Sequence, residues 1–150
     1  MVISAFTAMQ QVDTQAEQVH LRHIAITDQA KAEQVIAKLQ AGADFVQLVA
    51  QYSEDTQTKS QGGDLGWFVR ETMFPEMAAA AYSLSPGEFS EPIKTGSGYT
   101  IIQLIERAVR PVDAGVLQLR QQQAMLAQVE AEKAQAVIEV VVNFAATPMP

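Results

Sequence analysis

Two histidines, His20 and His23, are the side chains in this sequence whose type and spacing first suggest proton transfer or metal binding. They stand three residues apart in a segment, VHLRHIAI, whose alternating pattern predicts a strand over 19–26. In a strand, that spacing places the two rings on opposite faces. Because the sequence has no cysteine and no third histidine, we expect no metal site.

The remaining motifs and the composition disfavour several other kinds of chemistry. No serine lies in the strand-to-helix elbow that many hydrolases use for their nucleophile. The glycines of Gly62-Gly63-Asp64-Leu65-Gly66 are not followed by Gly-Lys-Ser/Thr, so we predict no phosphate-binding loop. A net charge of −7 argues against a nucleic-acid partner. No basic-then-apolar signal segment opens the chain. We therefore expect a protein that uses no cofactor.

The elements that must position these residues follow one another as β-α-α-β-α-β-β. Asp28 or Thr27 can begin the first helix and Gly42 can end it, while Asp44 begins a second helix that runs to Tyr52. The sequence predicts a third helix over 72–84 and further strands over 64–69, 89–94 and 99–106. The last two strands are joined by a short Gly/Ser connection, which requires antiparallel pairing. These elements predict an α+β domain with helices packed on a small sheet.

Charge divides the chain near residue 107. Residues 1–106 carry six basic and 13 acidic side chains, whereas residues 107–150 carry four of each. We therefore predict an N-terminal extension (1–18, partly helical), a compact acidic domain (19–107) and a C-terminal extension (108–150). The C-terminal extension is predicted to contain a long helix over 113–133 and a strand over 136–144.

The predicted strand over 136–144 is β-branched and nearly uncharged, so a free edge there would favour aggregation. We expect residues 1–18, a second copy of the chain or a further domain to cover it.

A series of short motifs follows in a fixed order along the chain: Arg22-His23-Ile24, Gly42-Ala43-Asp44-Phe45, Tyr52-Ser53-Glu54-Asp55, Gly62-Gly63-Asp64-Leu65-Gly66-Trp67-Phe68, Met73-Phe74-Pro75-Glu76, Pro86-Gly87-Glu88-Phe89-Ser90-Glu91-Pro92-Ile93 and Ser97-Gly98-Tyr99-Thr100-Ile101-Ile102. This series resembles the parvulin family of peptidyl-prolyl cis-trans isomerases, the PpiC-like rotamases. The resemblance covers about residues 19–107, and the C-terminal segment is more loosely similar to that of bacterial cell-envelope foldases.

The resemblance implies a parvulin/FKBP-like fold, a four-stranded antiparallel sheet wrapped by helices, with a proline-binding cleft on one side. It assigns the catalytic cluster to His23, Asp55 and Thr100. It assigns substrate binding to Leu65, Met73, Met77 and Ser97. Two positions depart from the family pattern: Met77 replaces a phenylalanine that usually closes the pocket, and Thr100 replaces a second histidine.

The function implied is isomerisation of X-Pro bonds in unfolded or exported proteins, outside the cytoplasm, with reduced activity because of Thr100 and Met77. Since the Ile26-Thr27-Asp28 connection holds no Lys or Arg cluster, we expect no preference for phosphorylated Ser or Thr before proline. The alternative is a non-catalytic chaperone module that binds peptides through a degenerate parvulin site.

Overall fold

The computed structural model describes the backbone of residues 12–145 and the side chains of residues 12–134. Contacts divide the chain into two compact units, residues 16–110 and the residues on either side of them. The elements run in the order β1 (Gln15–Ile26), α1 (Gln29–Gln40), α2 (Phe45–Tyr52), β2 (Asp64–Phe68), α3 (Pro75–Ser83), β3 (Ile93–Thr95), β4 (Gly98–Pro111) and α4 (Ala114–Ala145).

The four strands form one antiparallel sheet in the order β2-β1-β4-β3, which confirms the predicted α+β class. One face of the sheet packs on α1 and α2 through Ile24, Ile26 and Ile101. The opposite face packs on α3, with Leu21 and Ile102 among the buried residues. Because side chains of a strand alternate between faces, β1 contributes to both cores, as its sequence predicts.

The helix ends follow the predicted capping chemistry. The Asp28 carboxylate accepts hydrogen bonds from the backbone N–H groups of Ala30 and Lys31 at the start of α1. The Asp44 carboxylate accepts one from Gln47 N–H at the start of α2. Such caps satisfy N–H groups that have no partner within the helix. The caps therefore hold α1 and α2 at the positions where they cover the sheet.

The predicted strand over 89–94 is only partly a strand. Regular pairing begins at Ile93, and Phe89 forms an isolated bridge to Gln103. Between them Pro92 has no N–H to donate to a ladder. Ser90 N–H donates to the Ile102 carbonyl at 2.8 Å, and the Ser90 hydroxyl oxygen accepts from Ile102 N–H at 3.1 Å. Ser90 is thus bound to β4 through both its backbone and its side chain, outside the regular ladder.

One further prediction is wrong for the described residues: residues 136–144 belong to α4 and form no strand. β1 begins at Gln15, before the predicted strand start at residue 19, while a partly helical 2–18 stays a prediction. Helix propensities differ by less than about 1 kcal/mol among non-Gly, non-Pro residues, so the valines of 136–144 do not end a helix that no Gly or Pro interrupts. Residues 2–11 lie outside the described part of the chain.

The unit outside 16–110 contains α4, whose first turn is capped by Asp113 through a hydrogen bond to Val116 N–H at 2.9 Å. Arg120 donates to the carbonyl oxygens of Asp13 and Gln15, which ties the helix to the N-terminal segment. None of the described helices is both long and apolar enough to cross a bilayer.

Candidate functional site

The candidate site lies on the α3 face of the sheet, where β1 and β4 run side by side. His23 of β1 and Thr100 of β4 are joined at 3.1 Å from the imidazole Nδ1 to the hydroxyl oxygen. Thr100 is almost fully buried. Since it is β-branched, its side chain is restricted in rotation and suits the strand. Two neighbouring strands thus fix the two groups relative to each other.

The polar loop between α2 and β2 brings a carboxylate to the other side of the imidazole. Asp55 Oδ2 lies 2.9 Å from His23 Nε2. Thr58 donates its hydroxyl to the same carboxylate oxygen at 2.7 Å and lies 3.2 Å from Nε2. His23 therefore stands between a carboxylate and hydroxyl pair on one side and the Thr100 hydroxyl on the other.

The loop is fixed against β1 by its backbone. His23 N–H donates to the Gly63 carbonyl, and Gly63 N–H donates to the Thr58 carbonyl, both at 2.9 Å. Gly63 has φ +78°, and a Cβ atom at this position would fall on the His23 carbonyl oxygen. Only glycine permits both this backbone conformation and this close approach. Gly63 therefore sets the distance between the loop and the imidazole.

The pKa of Asp55 lies below its usual range. The main cause is the hydrogen bond from the Thr58 hydroxyl, followed by the one from His23, and these outweigh burial, which acts in the opposite direction. Asp55 is therefore ionised at neutral pH and acts only as an acceptor. From this we infer that His23 carries a proton on Nε2, and that in the neutral ring Nδ1 accepts the Thr100 hydroxyl hydrogen.

A cleft of about 510 Å³ opens beside this cluster and is called the His23 cleft below. Its walls include two acidic side chains, Glu54 and Asp55, and no Lys or Arg. Its apolar wall includes Met77, from α3. Its lining residues are His23, Ala25, Ile26, Thr27, Glu54, Asp55, Met77, Thr95, Ser97, Tyr99 and Thr100.

The structure places five of the seven residues assigned from the sequence on the walls of the cleft, and the other two in an apolar cluster that shares Met77 with it. The five are on the walls of the cleft: His23, Asp55, Met77, Ser97 and Thr100. Leu65 and Met73 pack instead in the apolar cluster of the α3 face, which also contains Met77. Among the described residues, no group of three His, Asp or Glu side chains is arranged to hold a metal ion.

Comparison with known proteins assigns the family. Residues 8–106 match the Rotamase family, described as the PPIC-type PPIASE domain. The chain belongs to this family. The PPIC-type domain is 41% identical over 97 residues to "Foldase protein PrsA 2" of Bacillus cereus, covering 64% of this chain and 34% of that protein. It is 45% identical over 97 residues to "Foldase protein PrsA" of Caldanaerobacter subterraneus subsp. tengcongensis, covering 65% and 32%. The chain thus spans about a third of the length of these relatives.

Solved structures agree with the PPIC-type assignment. The crystal structure of peptidylprolyl isomerase (PrsA) from Bacillus cereus superposes with a TM-score of 0.64 at 26% identity, covering 97% of this chain and 60% of that one. The solution structure of NmPin, the parvuline of Nitrosopumilus maritimus, gives 0.53 at 33% identity, covering 61% and 98%. The fold predicted from the resemblance is therefore confirmed.

Thr58 is a polar residue of the hydrogen-bonded cluster that sequence reasoning missed. It lies three residues after Asp55 in a polar segment, SEDTQTKSQGG, that predicts a loop and nothing more specific. An Asp in such a segment indicates a turn in which its carboxylate accepts from the backbone two residues on, as Asp55 does from Gln57 N–H, but it does not indicate Thr58. The Thr58 hydroxyl also lies close to the His23 imidazole, and this contact depends on the fold of the loop. The spacing between Asp55 and Thr58 in the sequence does not predict that fold.

Proposed function

We propose that the PPIC-type domain of this chain catalyses cis-trans isomerisation of X-Pro bonds in unfolded polypeptides. The observation that carries the proposal is the hydrogen-bonded cluster of His23, Asp55 and Thr100 on the wall of a cleft large enough for a proline and its neighbours. Membership of the family supports the same activity.

The reaction suits a site without a nucleophile or metal. Rotation about a peptide bond crosses a barrier of about 18–20 kcal/mol because resonance is lost in the twisted amide. No bond is formed or broken, so a site accelerates rotation by binding the twisted amide more tightly than the planar one. The Met77 wall offers the pyrrolidine ring an apolar contact, and the polar cluster faces the amide from the same cleft.

The two departures from the family pattern favour reduced activity over none. Methionine is flexible, so Met77 holds a proline ring less rigidly than phenylalanine would. The Thr100 hydroxyl keeps the bond to His23 Nδ1 but lacks the size and the titration of imidazole. Loss of one hydrogen-bond partner costs about 1–3 kcal/mol, or about 5- to 150-fold in rate if all of it falls on the transition state.

The test is exchange spectroscopy by NMR on a short Ala-Pro peptide, with and without substoichiometric protein. We expect faster exchange between the cis and trans peptide signals in the presence of the protein.

A second function is favoured by the substitutions at Met77 and Thr100: a chaperone module that binds proline-containing segments without catalysis. Shift changes on binding with an unaltered exchange rate would reject the enzyme and support this binder.

We propose that the site does not prefer phosphorylated Ser or Thr before proline. The cleft wall carries two acidic side chains, Glu54 and Asp55, which repel a phosphate, and no Lys or Arg is among its lining residues. Paired peptides with Ser-Pro and phosphoserine-Pro should therefore show turnover that is equal or lower on phosphorylation. A clear gain on phosphorylation would contradict the proposal.

We propose that the natural substrates are unfolded or exported polypeptides in the bacterial cell envelope. The proposal is supported by the sequence similarity to foldases. Fractionation of the source cells with an antibody to this chain tests the location, and recovery in the cytoplasmic fraction alone would reject it.

We also predict association through residues 1–18 and 136–144, either with a second copy of the chain or with an N-terminal chaperone domain. Light scattering on the purified chain tests for self-association.

A further inference from the structure

A second hollow, of about 540 Å³, adjoins the His23 cleft and is called the Phe74 hollow below. The two share the side chains of Met77, Thr95 and Thr100 on their walls. Because Met77 lines both spaces and consecutive residues of an extended chain are about 3.3 Å apart, a peptide whose proline contacts Met77 in the cleft can place a nearby residue in the Phe74 hollow.

Phe74 is the most exposed large hydrophobic side chain of the described residues, with 76% of its surface accessible. The Phe74 backbone is fixed by α3. Phe74 is the N-cap residue of this helix, and its carbonyl oxygen accepts the first helical hydrogen bond, from Ala78 N–H at 2.8 Å. Pro75 follows directly and fixes its own φ. The ring is thus held outside the core at a rigid helix terminus.

The walls of the two spaces differ in chemistry. The Phe74 hollow is bounded by the large apolar side chains of Phe74, Met77 and Ile93, together with one acidic residue, Glu76, and one basic residue, Lys94. The charges on its wall are balanced, whereas the charged residues of the His23 cleft are both acidic. The Phe74 hollow therefore suits an uncharged aromatic or large aliphatic side chain.

We propose that the Phe74 hollow is a subsite for an aromatic or large aliphatic residue of the substrate, one or two positions from the proline, and that Phe74 determines this specificity. The proposal rests on the isomerase function proposed above, since it takes the His23 cleft as the seat of the proline. The two spaces share three wall residues, and the exposed Phe74 ring on the wall of the second offers an apolar surface to such a side chain. Aromatic side chains gain from offset or edge-to-face contact with a second ring.

The experiment uses proline peptides that carry Phe or Ala at each of the two positions on either side of the proline. Isomerisation by exchange NMR and affinity by chemical-shift titration are measured on the same samples. We expect one Phe position to improve turnover or affinity about three- to ten-fold over Ala, the range given by an aromatic pair. Phe74→Ala should bring this ratio close to one, and Phe74→Leu should retain part of it.

Val109→Ala is the matched control, because Val109 is also a strongly exposed hydrophobic residue, 68% accessible, and lines neither space. It should leave the Phe-to-Ala ratio unchanged. A wild-type protein without Phe preference, or a preference that survives Phe74→Ala, would overturn the subsite. If no peptide is isomerised, the proposed function fails by itself, and the affinity ratios still decide for or against the subsite.

Discussion

His20 and His23 belong to the same strand, yet their surroundings differ. Each has a nitrogen close to an aspartate, at 2.8 Å for Asp64 and 2.9 Å for Asp55. Their side chains are similarly buried, 19% and 13% accessible. The His20 ring, however, stacks on Trp67 with ring centres 5.1 Å apart, whereas His23 borders a cleft.

Neither burial nor a carboxylate partner distinguishes the histidine beside the cleft from the one that is not. The pKa of Asp64 is lowered as that of Asp55 is: burial raises it, but hydrogen bonds from Gly66 N–H and His20 outweigh burial. What differs is the space beside the ring. His20 contacts an indole and the Asp64 and Glu106 carboxylates, a set that ties β1 to its neighbours, whereas His23 has adjacent volume for a ligand.

The largest expected effect separates the two histidines directly. His23→Ala removes the group that connects Asp55 to Thr100, and we expect isomerase activity to fall about 10- to 100-fold, since hydrogen bonds to charged groups contribute about 1.5–3 kcal/mol. His20→Ala should change activity less than two-fold while lowering the melting temperature, because it removes the stacking on Trp67. Equal losses of activity in the two variants would contradict the distinction.

The next largest effect concerns the two residues of the His23 cleft that depart from the family pattern, Thr100 and Met77. If the groups missing from the family pattern limit the rate, Thr100→His and Met77→Phe together should raise turnover of an Ala-Pro peptide about ten-fold, which corresponds to about 1.4 kcal/mol. Exchange NMR measures it, with circular dichroism to check the fold. A folded double variant with unchanged turnover would show that neither residue limits catalysis.

A smaller effect tests Thr58. Thr58→Val removes the hydroxyl that contributes most to lowering the pKa of Asp55, so this pKa should rise toward its usual range. In the wild type, the lowered pKa stabilises the fold above the unfolded pKa of about 3.9, and this stabilisation is lost as pH falls through the folded value. In Thr58→Val the pKa of Asp55 is lowered less, so ionised Asp55 stabilises the fold less. This smaller stabilisation should be lost at a higher pH than in the wild type.

Carboxyl ¹³C titration by NMR measures the change, and Thr58→Ser should restore the wild-type behaviour. Asp64 serves as the internal control, because its partners are Gly66 and His20. An Asp55 titration that is unaltered in Thr58→Val would remove Thr58 from the site.

Local patterns account for most of the fold, and they fail where tertiary contacts decide. Asp28 and Asp44 act as the predicted helix caps. The strand predicted over 89–94 pairs regularly only from Ile93, because Pro92 has no N–H to donate and the Ser90 hydroxyl accepts the Ile102 N–H, a contact that no local pattern contains. Likewise, the valines of 136–144 locally favour a strand, but this segment continues the helix that begins at Ala114.

The site divides in the same way. His23, Asp55 and Thr100 were assigned through motif positions, and the structure places them within hydrogen-bond distance of one another through His23. Thr58 and the exposed ring of Phe74 were not assigned, because their significance depends on where the loop and the start of α3 lie in the fold.

The smallest expected effect concerns the C-terminal extension. Deleting residues 111–150 should leave the compact domain folded, with a cooperative thermal transition by circular dichroism, because both histidine networks lie within residues 16–110. Activity on short peptides should change by less than about two-fold, within the small effects expected away from a site. Loss of the cooperative transition would contradict the predicted division into 1–18, 19–107 and 108–150.

The most direct test of the central claim follows the ring nitrogens of both histidines by ¹⁵N NMR while a proline peptide is added. If the proline is bound in the His23 cleft, the His23 signals shift with peptide concentration and the His20 signals do not. A response of His20 alone, or equal responses of the two rings, would contradict the account.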